Sequence, residues 1–223
     1  MLFDLIPAPS LLFSYLFVLV IAFTVHEFAH AWTADRYGDD TPRLNGRLTL
    51  NPFAHLDPIG SLLLIFAGFG WAKPVPVNPY ALQRRSSAAL MWVSLAGPLS
   101  NLLMAIVAAI PFRLGLISRM EAELALWTAG EHILPTIPQL LFVFVSTNLL
   151  LMLFNMIPLA PLDGEKVAEY LLPANMSRIL TEIRPYGPLI LIMIVIVPPY
   201  LGFDVIGRVL NPLMNMMMNL LMG

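Results

Sequence analysis

The chain has no cysteine, only four histidines and few charges: Asp, Glu, Lys and Arg together supply 12% of its 223 residues. The missing cysteines exclude disulfides, a thiolate nucleophile and thiolate ligation of a metal. In soluble domains about a quarter of residues are charged. Here scarce charge accompanies 58% hydrophobic residues and a mean hydropathy of +0.78. The formal net charge is -2 and no basic tract is concentrated anywhere, so nucleic acid is not an expected partner. No internal repeat is visible, nor any stretch that reads as a soluble domain larger than a loop.

What is present belongs to a bilayer. Four uncharged stretches, Leu5 to His26, Ala88 to Phe112, Ile133 to Leu162 and Pro185 to Phe203, approach or exceed the ~20 residues that cross ~30 Å of hydrocarbon. They predict an all-α polytopic membrane protein with four spans, forming one domain over residues 1–223. Pro58 to Ala72 is also uncharged but short, and Gly60, Gly68 and Gly70 interrupt it; it reads as a re-entrant or β-like membrane-associated segment. Val75 and Val77 lie between prolines, a pattern of extended or edge-strand backbone that an unwound substrate could pair with. The uncharged tail, Asn211 to Leu221, is expected at an interface.

The first helix is predicted from about Ser10, a candidate cap, to Tyr37, with Gly38 as its stop. It is not read as a secretory signal, because residues 1–10 contain Asp4 and no Lys or Arg. With the N-terminus outside, the inward connections hold Arg36, Arg43, Arg47, Lys73, Arg84, Arg85, Lys166, Arg178 and Arg184. Only Arg113, Arg119 and Arg208 of the twelve basic residues remain outside. That bias follows the positive-inside tendency.

At the inward end of the first apolar run stands His26-Glu27-Phe28-Ala29-His30. Residues four apart share a helix face, so His26 and His30 can grip one zinc ion while Glu27 serves as general base. A hydrogen-bonded network without metal is the alternative, although ionisable groups at membrane depth are costly without a partner. Zinc needs a third protein ligand, and Asp163 is the best candidate, flanked by Pro161 and Gly164; it could instead cap a helix beginning at Glu165. His55 either supports the site or the Asp57-Pro58-Ile59-Gly60 turn from behind the ligands, or faces solvent in a polar loop. His132, beside Glu131, reads as structural or solvated.

These residues carry a family resemblance. His26 to His30, together with Asn155 to Gly164, resembles the paired signatures of the site-2 protease family of intramembrane zinc metalloproteases, peptidase M50. Asn51 to Gly60, Gly70 to Pro79 and Ser94 to Asn101 are similar to its compact prokaryotic branch, and the resemblance covers about residues 10–172. It implies one zinc ion held by His26, His30 and Asp163, Glu27 as catalytic base, and Asn148 or Asn155 as a polar residue near the site. It further implies cleavage of transmembrane substrate proteins in regulated intramembrane proteolysis, in a prokaryotic inner or plasma membrane; the basic-residue count, with His26, His30 and Asp163 toward the inward ends of their spans, puts the site near the cytoplasmic side. There is no room for the PDZ domain that some members insert, nor an obvious CBS pair. A membrane-surface zinc peptidase or hydrolase is the alternative enzyme. A metal transporter or scaffold would need further ligands along a path, where the other spans offer only Ser94, Asn101, Thr147, Asn148 and Asn155. The oligomeric state stays open.

Overall fold

The computed structural model describes residues 5–67, 70–195, 197–200 and 205–223. Among them, three helices are long and apolar enough to cross a membrane: α1 (Pro9–Arg36), α5 (Ala89–Arg113) and α7 (Ile137–Asn155). Between α1 and α5 lie α2 (Thr41–Leu44), a 3-10 turn at Pro52–Ala54, α3 (Pro58–Ala67) and α4 (Pro79–Arg85). The helix α6 (Arg119–Trp127) precedes α7. After it come α8 (Asp163–Leu171), α9 (Ala174–Ile183), α10 (Gly187–Val195), α11 (Val197–Tyr200) and α12 (Val205–Met222).

The three long helices pack on one another in an up-down-up arrangement, with α8 against α5 and α12 against α5 and α7. Their surfaces are sorted as a bilayer demands. Ser10, Ser14, Thr24, His26, Asn101, Gln139, Thr147 and Asn148 are buried in the bundle, while Phe13, Phe17, Leu103, Val107, Ile110 and Leu150 are exposed on its outside. Small residues of α5, Ala105, Ala108 and Ala109, join Val145 and Leu149 of α7 in the main apolar cluster, so the two backbones approach closely.

Pro9 occupies the first turn of α1, where its missing N–H costs nothing. Ser10 is not the cap. Its hydroxyl donates to the Ala129 carbonyl at 2.9 Å, and the buried Gln139 donates to Ser10 at 3.1 Å and to Ser14 at 3.3 Å. This knot fixes the start of α1 beside the start of α7. At the other end Gly38 takes a φ of 85°, its N–H donates to the Asp35 carbonyl, and the Asp39 N–H reaches back to Ala34. Those are the two bonds of a Schellman ending, which satisfies carbonyls the helix leaves orphaned.

One sequence expectation falls partly outside the described residues and another requires correction. Within Pro185 to Phe203, read from the sequence as a fourth span, the described residues form the end of a 3-10 turn at Arg184–Tyr186 followed by α10 and α11. Residues 196 and 201–203 of that stretch lie outside the described residues. The expected β-like segment is missing. Residues 73–78 form no ladder, and the bridge described nearby is a single antiparallel one between Leu56 and Ala72. Prolines 74, 76 and 79 remove the donors a strand would use. Pro58–Ala67 is a helix of ten residues, about 15 Å long and half a bilayer core. Beyond it Gly70 returns against the Gly60 carbonyl, where a Cβ would stand only 2.1 Å away.

Candidate active site

Each functional side chain comes from a different place in this arrangement. The histidines sit on the inner face of α1, a few turns before its charged end at Arg36. Because α5 runs antiparallel to α1, Val93 falls beside His30 and Asn101 beside His26. At 2.7 Å His30 Nδ1 meets the Val93 carbonyl, and at 2.6 Å His26 Nδ1 meets Asn101 Oδ1. Between these two contacts lies Gly97. A Cβ built there would stand 2.4 Å from His30 Nε2 and 2.6 Å from His26 Nε2, so only glycine lets α5 pass this close to both rings. The adjoining Pro98 is tolerated inside α5 although a helix-interior proline costs about 3 kcal/mol.

Asp163 is the first residue of α8. The helix cap is Leu162, without a side-chain capping bond, so the Asp163 carboxylate is not occupied as a cap. Its Oδ2 instead lies 3.1 Å from His26 Nε2 and 3.3 Å from His30 Nε2. What holds α8 in place is close packing and charge. A Cβ at Gly164 would stand 2.4 Å from the Met156 carbonyl at the end of α7. The buried Glu165 pairs with Arg184 at 2.6 Å and Lys166 at 2.8 Å, and would cost several kcal/mol if left unpaired.

The donor set fits a metal ion. A carbonyl can only accept, so the Val93 contact puts the proton of His30 on Nδ1 and leaves Nε2 with a bare lone pair. Both Nε2 atoms point toward Asp163 Oδ2, a buried oxygen without a hydrogen-bond partner among the described residues. One ligand atom from each of His26, His30 and Asp163 lies within 4.8 Å of the others. Three electron-pair donors facing one another in an apolar bundle repel unless a cation or protons lie among them, and two imidazoles with one carboxylate are a zinc-type donor set. An outer partner on Nδ1 is the usual way a ligating imidazole is oriented.

Glu27 is buried beside the triad, and its Oε2 accepts from the Val75 N–H at 3.2 Å. Residues 73–78, outside any helix or strand, therefore pass beside the carboxylate at Val75. Donors of that segment are turned inward: the Lys73 N–H goes to the His55 carbonyl and the Asn78 N–H to Asp39. Of the edge expected around Val75 and Val77, the Val75 N–H thus binds the protein's own Glu27.

The remaining sequence candidates separate. His55 is fully buried rather than solvated, with Nε2 at 2.7 Å from the Thr49 carbonyl; its hydrogen bonds support the loop that carries Lys73 and reach none of the three clustered residues. Gly60 donates to Asp57 Oδ1, so Asp57 holds its own turn. Asn148 is one hydrogen bond further out than Asn101, and Asn155 donates to Leu151 in its own helix. His132 is exposed. Sequence reasoning missed the parts played by Asn101, Gly97, the Val93 carbonyl and the Val75 N–H. An asparagine and a glycine inside an apolar span were the available signals for the first two.

Known proteins align with this chain over most of its length. The model of peptidase family M50 matches residues 14–197. YwhC of Bacillus subtilis (strain 168), named as a candidate zinc metalloprotease, is 40% identical over 205 residues, covering 91% of this chain and 89% of that protein. Rip2 of Mycolicibacterium smegmatis, named likewise, is 33% identical over 193 residues, 82% of this chain and 68% of its own. Rip2 of Mycobacterium tuberculosis (strain H37Rv) is 31% identical over 195 residues, 84% of this chain and 70% of its own. No solved structure matches significantly.

Proposed function

The chain belongs to peptidase family M50, and from that membership and the buried triad we propose that His26, His30 and Asp163 hold its single zinc ion and that Glu27 is the general base. It is a multi-pass membrane protein and a zinc-dependent metalloendopeptidase, an intramembrane protease of transmembrane substrates. The observation that carries the reading is the convergence of two imidazole lone pairs and an orphaned carboxylate oxygen on one buried point.

When bound, zinc supplies a Lewis acid that polarises the scissile carbonyl and acidifies water. Glu27 accepts a proton from the attacking water and returns it to the departing amine. The Val75 N–H holds one carboxylate oxygen and leaves the other for that proton. The Val93 carbonyl and the Asn101 side chain meet the Nδ1 atoms and orient both imidazoles with Nε2 toward Asp163. A substrate helix hides its carbonyls in internal hydrogen bonds and must locally unwind before Glu27 can act on it.

His26 lies ten residues before Arg36, about 15 Å from the charged end of α1 at 1.5 Å per residue, hence well inside the bilayer. The nine basic residues of the 37–88 and 156–186 connections and the Arg36 boundary support a cytoplasmic orientation, with the N-terminus outside and the site reached from the inner face. The short helix α3 and the close approach of Gly70 to Gly60 support a re-entrant segment. The described elements between the long helices leave no room for an inserted PDZ domain, which supports the compact branch in a prokaryotic cell membrane. Regulated intramembrane proteolysis is the role this combination fits.

The test compares one cleavable sequence offered within a transmembrane helix in liposomes and as a free soluble peptide. Cleavage should strongly favour the membrane-embedded form. Preference for the soluble peptide would support a membrane-surface hydrolase, and zinc flux into sealed proteoliposomes without cleavage would support a transporter.

A further inference from the structure

We propose that Asn148 is a positioning residue that sets the tautomer of His26 through Asn101, although its own hydrogen bonds reach no metal ligand. The inference rests on reading His26 as a zinc ligand. Asn101 on α5 and Asn148 on α7 are both fully buried, so water cannot satisfy their amides. A neutral imidazole binds metal through the nitrogen without a proton, and which nitrogen that is depends on the partner of the other. For His30 the Val93 carbonyl settles this directly. For His26 the partner is a side-chain amide, which can present either an oxygen or an NH2 group.

The choice is made two residues away. Asn148 donates from Nδ2 to the Phe144 carbonyl at 2.9 Å, and a carbonyl accepts only. The Asn148 oxygen is therefore turned toward α5, where it accepts from Asn101 Nδ2 at 2.9 Å. That bond turns the Asn101 oxygen toward α1, 2.6 Å from His26 Nδ1, which must then carry the proton. The His26 Nε2 lone pair is left facing Asp163 and His30. A backbone carbonyl of α7 thus fixes the protonation pattern of a ligand on α1, in a chain that crosses all three spans.

Without Asn148, Asn101 would be free to turn over. A buried orphan N–H is tolerated less readily than an under-satisfied C=O. The turned amide, with its NH2 on His26 Nδ1, therefore becomes the favoured metal-free state. The His26 proton then occupies Nε2, and zinc must displace that state to bind. A carboxylate at position 101 has no wrong face, since both oxygens accept, and should make the site indifferent to residue 148.

The experiment uses the full chain. Zinc affinity is measured by chelator competition for wild type, Asn148→Leu, Asn101→Asp and the double variant. Histidine tautomers are read by 15N solid-state NMR of the metal-free protein in bilayers, where only four histidines contribute. Asn148→Leu should lose about tenfold or more in zinc affinity, in the range found for outer-shell partners, and should move the His26 proton to Nε2. In the Asn101→Asp background the same leucine should cause no further loss. Equal losses in both backgrounds would make Asn148 a packing residue and overturn the proposal, as would unchanged affinity in Asn148→Leu. A wild-type His26 carrying its proton on Nε2 would overturn it with no variant required. Wild-type zinc affinity that survives His26→Ala would instead defeat the ligand assignment, a separate failure.

Discussion

Asp163→Ala is expected to deplete the purified protein of zinc and to abolish cleavage together. The Asp163 carboxylate contributes an oxygen that no group among the described residues satisfies and that both imidazoles face. Its loss should cost more than the roughly 10- to 100-fold in metal affinity typical of losing an outer-shell partner. The fold should survive, because Asp163 makes no capping bond and α8 is anchored by the Gly164 contact and the Glu165–Arg184 pair. A first-turn acid helps its helix by only about 0.3–1 kcal/mol. Metal analysis beside the exposed His132→Ala variant, expected to keep both zinc and activity, is the check. Full zinc occupancy in Asp163→Ala would remove Asp163 from the ligand set.

Glu27→Gln is expected to separate what Asp163→Ala loses together: zinc stays and turnover falls by roughly 10²- to 10⁴-fold, the usual worth of a positioned base. Glutamine keeps the size of the side chain, and its amide oxygen can still accept from the Val75 N–H, so residues 73–78 keep their place beside it. Only the proton acceptor is gone. Single-turnover cleavage of a transmembrane substrate, with zinc content measured on the same sample, reports both quantities. Turnover equal to wild type would assign the base elsewhere.

These expectations draw on residues whose legibility in the sequence differed for physical reasons. Local spacing needs no tertiary information, and so His26 and His30 on one face of α1 followed directly from the sequence. Asp163 was reachable because prolines and a glycine mark the end of a helix, but whether its carboxylate capped α8 or turned to the histidines depended on how α8 packs. Gly97 and Asn101 matter only because of the register in which α5 crosses α1, and no local pattern encodes that register. Val93 acts through its carbonyl, which every residue possesses. Ser10, a good cap in isolation, is used instead to tie α1 to Ala129 and Gln139.

The central claim is that one zinc ion sits among His26, His30 and Asp163 within the membrane. Anomalous scattering across the zinc absorption edge, from crystals of the purified chain, tests it most directly. A single zinc-specific peak should lie at bonding distance, roughly 2.0–2.2 Å, from both imidazole Nε2 atoms and an Asp163 oxygen, with Glu27 beside it but not bound. A peak at His55 or His132, or zinc held by the two histidines with Asp163 turned away, would contradict the account.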